Sequence, residues 1–168
     1  MPTPFTARPA QRADAAAICE IYNQGIEDRV GTFETDLRTV ADILAWFDHA
    51  RAFVAVADAS GRIAGYAVAH PYSPRVCYRG IGDFSVYVRR EDRGRGVGQV
   101  AMAALIDQAR ANGLWKLTSR VFPENRRSLA LMARMGFCEI GVHRNHAKLD
   151  GVWRDNVVIE RLIPENLD

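Results

Sequence analysis

The most restrictive feature of this chain is a glycine-rich turn, residues 93–98, which separates a predicted strand from a predicted helix. It reads Arg-Gly-Arg-Gly-Val-Gly, and its glycines let backbone N–H groups approach a ligand without interference from a Cβ atom. The helix that follows adds unpaired N–H groups and the positive end of its dipole. Arg93 and Arg95 can add charge-assisted hydrogen bonds to phosphate oxygens. The turn therefore favours an anion-binding site, with a plain strand-to-helix connection as the alternative.

Two common phosphate-binding motifs fit this turn poorly. A Walker loop needs Lys and then Ser or Thr after its last glycine, where this chain has Gln99 and Val100. A dinucleotide fingerprint has the spacing GxGxxG early in a βαβ unit, whereas GxGxG here follows the third or fourth strand. Between Arg75 and Arg127 there are eleven Lys and Arg against five Asp and Glu. Such a local excess of positive charge suits a phosphorylated small molecule, and a solvated surface of mixed charge is the alternative.

The pattern of apolar residues predicts the element order β-α-α-β-β-β-α-β-α-β-β. The predicted strands are residues 5–8, 52–58, 63–70, 82–89, 115–122, 137–142 and 152–162. The predicted helices begin near residues 12, 39, 97 and 126, and the second of them ends at His49. Strands and helices in this order imply an α/β fold, with a mixed central sheet that carries helices on both faces. The length fits a single domain that spans residues 1–168.

Composition limits the possible partners and the compartment. A net charge of +2 is too small to indicate nucleic acid, and no apolar run reaches the roughly 18 residues of a membrane helix. The first residues also lack the apolar core of a signal peptide. The cysteines, at positions 19, 77 and 138, form no CxxC pair, and His143 and His146 lack a third ligand at useful spacing. We therefore expect a cytoplasmic protein with reduced thiols, no metal, and neither a nucleic-acid nor a membrane partner.

The glycine-rich turn has a wider context that resembles a known superfamily. Residues 85–98 read Ser-Val-Tyr-Val-Arg-Arg-Glu-Asp-Arg-Gly-Arg-Gly-Val-Gly and resemble the acetyl-CoA-binding segment of the GCN5-related N-acetyltransferases (GNAT). The superfamily pattern, Arg or Gln, two residues, Gly, any residue, and Gly or Ala, matches Arg93, Gly96 and Gly98. The resemblance also covers residues 122–128 and the Met-Gly-Phe at the end of residues 131–137. It implies the GNAT fold and acetyl-CoA as the co-substrate.

Within the superfamily the chain most resembles the phosphinothricin-type branch, and in that branch the arsinothricin N-acetyltransferases. The matching segments span nearly the whole chain and are residues 21–29, 31–35, 73–75, 148–155 and 160–162. This resemblance implies transfer of an acetyl group to the α-amino group of a glutamate analogue, such as arsinothricin, phosphinothricin or methionine sulfoximine, and hence resistance to it. It also implies a homodimer, because members of the family are often dimers.

The resemblance assigns the residues that bind acetyl-CoA. The pyrophosphate is expected on the glycine-rich turn, and the pantetheine arm beside the strand that ends at Val88, where the backbone can pair with its amides. Asn125 matches a position that contacts the cofactor arm, and it is also a plausible N-cap of its helix. The complete expected set is Val86, Tyr87, Val88, Arg93, Gly94, Arg95, Gly96, Val97, Gly98, Asn125 and Ser128.

The resemblance also assigns a general base and a substrate site. Phosphinothricin-type enzymes carry Glu where this chain has Asp83, so Asp83 is the expected base, and its shorter side chain favours a relay through water. Many members place a general-acid Tyr where this chain has Met132, so no general acid is evident. The expected substrate contacts are Phe33, Thr35, Arg75 and Arg79, with Arg75 on the tetrahedral anion.

Two other functions stay open at this point. The acceptor of the same fold could be another small amine or a protein N-terminus, although Arg75 and Arg79 argue mildly against a polyamine. The chain could also be a non-catalytic acyl-CoA-binding sensor, which the departures at Asp83 and Met132 keep possible.

Overall fold

A mixed sheet of seven strands, with four α-helices around it, forms the regular structure of residues 4–168, which the computed structural model describes. In chain order the elements are β1 (Thr6–Pro9), α1 (Ala15–Asp28), α2 (Val40–Trp46), β2 (Ala52–Ala57), β3 (Ile63–Pro71), β4 (Ile81–Val88), α3 (Val97–Ala111), β5 (Lys116–Val121), α4 (Arg126–Arg134), β6 (Cys138–Leu149) and β7 (Val152–Leu162). This is the predicted order of elements. The predicted α/β fold class with a mixed central sheet is confirmed.

Both faces of the sheet are covered, and β2 shows this most clearly. Phe53 and Ala55 belong to the apolar core beneath α1 and α2, whereas Val54 and Val56 belong to the core beneath α3. All residues of β2 are buried, as expected for a strand covered on both sides. The helices therefore lie on the two predicted faces, α1 and α2 on one and α3 and α4 on the other.

The predicted end of α2 is wrong by one turn. Thr39 accepts a hydrogen bond from the backbone N–H of Asp42, whose carboxylate in turn accepts one from the Thr39 backbone N–H. This reciprocal cap begins the helix where the sequence predicts it. The helix ends at Trp46 rather than at His49, because residues 47–49 continue only as turns.

The sixth strand is also longer than predicted. It spans Cys138–Leu149 rather than residues 137–142, and it pairs with β7 through two irregularities, between Glu139 and Gly141 and between His143 and Ala147. Asn145 lies in the second of these with φ of 46°. Bulges insert extra residues and so break the alternation of side chains on which a strand prediction rests. The second half of β6 therefore carries no regular pattern in the sequence.

A gap between β4 and β5 is the feature of the sheet that positions the site. The strand order is β1-β2-β3-β4-β5-β7-β6, and β4 and β5 are its parallel pair. β4 pairs with β3 over Gly82–Val88 but with β5 only over Ile81–Asp83. Beyond that point the Ser119 hydroxyl donates to the Phe84 carbonyl oxygen at 2.7 Å, and the ladder does not continue. The second half of β4 therefore presents an unpaired backbone edge to the gap.

Candidate active site

Two cavities meet at the gap between β4 and β5. The larger cleft has a volume of about 750 Å³ and is lined by parts of α3, α4 and the end of α1, and the smaller cavity, of about 680 Å³, is lined by parts of α1 and α2. They share the lining residues Gly31, Phe84, Ser85, Tyr87, Ser119, Arg120 and Phe122. Ligands bound in the two cavities can therefore touch each other at this junction.

The β4 wall of the larger cleft contains Val86, Tyr87 and Val88, three of the residues expected to contact the cofactor. The Val86 and Val88 side chains pack against the α3 core, while the Tyr87 ring stacks on Tyr66 on the other face. Because β5 makes no ladder with this stretch, an extended ligand with amide groups can pair with the β4 edge as an added strand would.

The glycine-rich turn brings the N-terminus of α3 to the same cleft. Gly94 and Gly96 have φ of 79° and 89°, a left-handed conformation that favours glycine. Gly96 is the N-cap of α3 and supplies no side chain, so the first-turn N–H groups stay open for an anion. Gly98 lines the cleft, and a Cβ there would lie 3.0 Å from the Leu131 side chain. The side chain of Val97 belongs instead to the α3 core.

The two predicted phosphate-binding arginines point in different directions. Arg93 lines the larger cleft, where its Nη1 donates to Asp28 at 2.5 Å and its Nε donates to the Val88 carbonyl oxygen at 3.2 Å. Arg95 does not line it, because its Nη1 donates to the buried Asp92 at 2.6 Å. A contact between Arg95 and a phosphate therefore requires that this ion pair be broken.

The wall opposite β4 comes from the start of α4. Asn125 accepts a hydrogen bond from the Ser128 backbone N–H at 3.2 Å, and its amide donates to the Val30 carbonyl oxygen at 3.1 Å. Both predicted residues thus line the cleft, with Asn125 also capping the helix and holding the loop after α1. Arg126 and Arg127 line the cleft as well and were not predicted. Their position in the first turn of a predicted helix beside Asn125 is the signal that could have identified them.

Asp83 lies in the smaller cavity, at the end of the ladder between β4 and β5. It pairs directly with His70 on β3 and with Thr118 on β5. Directly opposed residues share a face of a sheet, and so do residues two apart on one strand. Arg120 therefore lies on the same face as Asp83, a relation that depends on the strand register and is not evident from the sequence.

Arg120 forms a two-pronged ion pair with Asp83. Its Nη2 lies 2.9 Å from Oδ2, and its Nη1 lies 3.1 Å from Oδ2 and 3.3 Å from Oδ1. Each side chain is about one-third exposed, at 36% for Arg120 and 34% for Asp83. Burial raises the pKa of Asp83, and the charge of Arg120 only partly offsets that effect. A carboxylate with a raised pKa can accept a proton more readily than an ordinary aspartate.

His70 lines the smaller cavity as a neutral group. Trp46 packs edge-on against its ring at 5.2 Å, and its Nδ1 has no hydrogen-bond partner among residues 4–168. Burial, with a smaller contribution from nearby His49, lowers the pKa of His70 to about 4. At neutral pH His70 therefore supplies a polar, uncharged surface beside Asp83.

The structure brings only one of the predicted substrate contacts into a cavity. Phe33 lines the smaller cavity and packs edge-on against Phe122 at 4.9 Å between ring centroids. Thr35, Arg75 and Arg79 are exposed, and they line neither cavity. Their contact with the substrate stays a prediction. Arg120 is the only Lys or Arg among the described residues that lines the smaller cavity.

Within residues 4–168, no group of three or more His, Cys, Asp and Glu side chains could hold a metal ion. The same part of the chain contains no helix with the length and apolar character needed to cross a membrane.

Comparison with known proteins gives consistent matches. Residues 16–137 match the model of the acetyltransferase (GNAT) family. The chain is 34% identical to an L-methionine sulfoximine/L-methionine sulfone acetyltransferase of Pseudomonas paraeruginosa, over 88% of each chain. It is 29% identical to a phosphinothricin N-acetyltransferase of Streptomyces coelicolor, over 92% of this chain and 94% of the other. A crystal structure of a Sinorhizobium meliloti phosphinothricin acetyltransferase with acetyl-CoA superposes with a TM-score of 0.87 at 27% identity, covering 95% of this chain and 88% of the other.

Proposed function

This chain belongs to the acetyltransferase (GNAT) family, and we propose that it acetylates the α-amino group of a glutamate-analogue amino acid such as arsinothricin, phosphinothricin or methionine sulfoximine. The family resemblance seen in the sequence is confirmed, and so is acetyl-CoA as the co-substrate. The chain is an acetyl-CoA-dependent N-acetyltransferase of the phosphinothricin and methionine sulfoximine type. The observation that supports transfer to an amine is the junction of the two cavities, with a carboxylate on the smaller one, and the names of the relatives support a glutamate analogue as the acceptor.

The larger cleft fits acetyl-CoA in charge and in shape. The open N–H groups of α3 and the guanidinium of Arg93 suit the pyrophosphate, and Arg126 and Arg127 add positive charge on the opposite wall. The free edge of β4 at Val86 and Val88 suits the amides of the pantetheine arm. The thioester then lies at the junction, where it can meet the amine from the other face.

Asp83 is the group that we assign as the general base. The acceptor arrives as an ammonium ion, and only the neutral amine can attack. Asp83 takes one proton from that ammonium, directly or through a water. Among the described residues that line the smaller cavity, Glu34 is the other carboxylate, and it pairs with Arg38 at 3.0 Å. Asp83 directly precedes Phe84 and Ser85, which line both cavities, and for that reason we assign it as the base.

The transfer balances without a further reactant. The amine nitrogen forms a bond to the acetyl carbon, the bond from that carbon to sulfur breaks, and the amine loses a second proton. The products are the N-acetyl amino acid, coenzyme A as a thiol, and one proton released to solvent. A backbone N–H near Val86 is suited to stabilise the oxyanion. Met132 lines the cleft and cannot donate a proton. The thiol of coenzyme A has a pKa near the cysteine value of about 8.5, so its thiolate is a fair leaving group that needs no general acid.

The test is thiol release from acetyl-CoA over a panel of acceptors: arsinothricin, phosphinothricin, methionine sulfoximine, glutamate, spermidine and an alanyl peptide. Turnover confined to the glutamate analogues is expected. Turnover of spermidine or the peptide instead would overturn the choice of acceptor while leaving the transferase assignment in place. Cofactor binding with no turnover on any amine would indicate an acyl-CoA sensor. Acetylation destroys the amine of a toxic analogue, so expression in a sensitive bacterium is expected to confer resistance.

We also propose that the enzyme acts in the cytoplasm as a homodimer. The hairpin of β6 and β7 supports the homodimer, because it exposes four apolar side chains. Each of them has between 50% and 59% of its surface exposed: Ile140, Val142, Val152 and Trp153. Exposed apolar residues grouped on one element are typical of a protein interface. Light scattering coupled to gel filtration tests this, and a monomer at micromolar concentration would contradict it.

A further inference from the structure

The ion pair between Arg120 and Asp83 affects which amines the enzyme can accept. Arg120 is the only Lys or Arg among the described residues that lines the smaller cavity, and its guanidinium is already bonded to Asp83. Asp83, which we assign as the base, is therefore already paired with the one Lys or Arg side chain that lines this cavity among the described residues. A base in that state faces a guanidinium rather than the incoming amine.

An α-amino acid has the charges needed to resolve this pairing. Its ammonium and its carboxylate are attached to the same carbon, so they approach the cavity side by side with opposite charges. Asp83 and Arg120 are also side by side with opposite charges, 2.9 Å apart at their nearest atoms. The two pairs are complementary, since the carboxylate suits the guanidinium and the ammonium suits Asp83. The planar fork that now holds Asp83 can hold a carboxylate of the substrate equally well.

We propose that Arg120 recognises the α-carboxylate of the acceptor, and that this contact exchanges one ion pair for two and turns Asp83 toward the ammonium. The inference rests on the proposed function and adds the residue that selects α-amino acids. Amines without a carboxylate leave Asp83 paired with Arg120 and are poor acceptors for that reason. Arg120 is thus a binding residue for the substrate and a positioning residue for the base.

The neighbouring groups leave this role to Arg120. His70 is neutral at physiological pH, because its pKa is lowered to about 4. Glu34 is itself a carboxylate and would repel the substrate's own. Arg75 and Arg79 lie outside the cavity, which leaves them free for a second anionic group further from the amine. The exchange is also physically accessible, since Arg120 and Asp83 are both partly exposed to solvent.

The test compares methionine sulfone with its α-carboxamide, which keeps the amine and side chain but removes the negative charge. The wild type should prefer the acid by roughly 100-fold in kcat/KM, the size of one or two hydrogen bonds between charged groups. Arg120→Gln should reduce that preference to less than roughly fivefold, and Arg120→Lys should retain part of it because the charge remains. The difference in amine pKa between the two compounds enters this ratio equally in every variant, so it cancels when the ratios of the variants are compared.

The matched control is Arg12→Gln. Arg12 also forms an ion pair with an aspartate, Asp48, but both are exposed and neither lines the larger cleft or the smaller cavity. This variant should keep the wild-type preference. Thermal unfolding verifies that Arg120→Gln is folded, and Arg120→Lys provides the comparison if it is not. An Arg120→Gln enzyme that loses activity equally on both compounds, with its preference intact, would overturn the inference. The proposed function fails on a different result, namely no acetylation of any glutamate analogue by the wild type, and the inference would then fall with it.

Discussion

Replacement of Asp83 by Asn should lower kcat/KM by about 100-fold at pH 7, within the range of 10²–10⁴ that a positioned general base supplies. Asn has nearly the same shape and keeps one oxygen that can accept from Arg120, so the cavity should be preserved. The loss then reports on the proton rather than on packing. A 100-fold loss corresponds to about 2.7 kcal/mol of transition-state stabilisation. Asp83 lines only the smaller cavity, so the KM for acetyl-CoA should not change.

The pH profile gives the stricter form of this prediction. Burial raises the pKa of Asp83, and below that pKa the carboxyl is protonated and cannot serve as a base, so wild-type kcat/KM should fall as pH decreases through it. The loss of kcat/KM in Asp83→Asn should become smaller as pH rises toward the pKa of the acceptor's amine, because more of the amine is then already neutral in solution. Thiol release at saturating acetyl-CoA, measured from pH 9 down to the lowest pH at which the enzyme stays folded, with Asp83→Glu as the variant that keeps a carboxylate, tests both effects. Equal kcat/KM for wild type and Asp83→Asn at pH 7 would refute the role of Asp83.

Three further predictions concern cofactor binding and stability. Asn125→Ala removes the α4 cap and the bond to the Val30 carbonyl oxygen, so calorimetric titration should show weaker acetyl-CoA binding by roughly tenfold. Asp14→Asn should lower Tm at pH 7 by about 4–8 °C, the equivalent of about 2 kcal/mol in a chain of this size, because the buried Asp14 accepts two bonds from Arg8 at 2.7 and 2.8 Å. The pKa of Asp14 is lowered by this pair, so the stabilisation is present above its ordinary pKa and is lost as pH falls through the lowered one. The difference in Tm between wild type and variant should therefore shrink as the pH is lowered into the acid range. Tyr66→Phe should leave Tm unchanged or raise it, since the buried Tyr66 hydroxyl has no hydrogen-bond partner among residues 4–168.

The parts of the fold that could be predicted depend on neighbours in the sequence. The glycine-rich turn, the apolar stripe of α3 and the cap at Thr39 each act over a few residues, so their signals are complete within a short window. The same holds for the wall of the larger cleft, which is formed by β4 and the start of α4. The second half of β6 could not be predicted, because the irregularity between His143 and Ala147 breaks the alternation of side chains that marks a strand.

The parts of the site that could not be predicted depend on strand pairing. Arg120 reaches Asp83 across 37 positions in the chain, and only the register of β4 against β5 brings them together. Arg95 looks like a phosphate ligand in the sequence, whereas its position is decided by Asp92, which lies inside the fold with no exposed surface. A spacing of charged residues shows which groups exist near a turn. It does not show which of them are already paired with one another.

The gap in the sheet explains why the two cavities can serve one reaction. If β5 continued its ladder along β4, hydrogen bonds would occupy the edge at Val86 and Val88, and a closed sheet would separate the larger cleft from the smaller cavity. β5 pairs with β7 along its whole length, Lys116–Val121, but with β4 only over Lys116–Thr118, so β4 and β5 separate after Thr118. The backbone groups that this leaves open on β4 cost stability when they are unpaired, and a ligand that pairs with them recovers that cost. The ladder with β7 holds the second half of β5 in place on the far side of the gap where the thioester meets the amine. A substitution that weakens β7 should therefore impair acetyl transfer without touching either substrate.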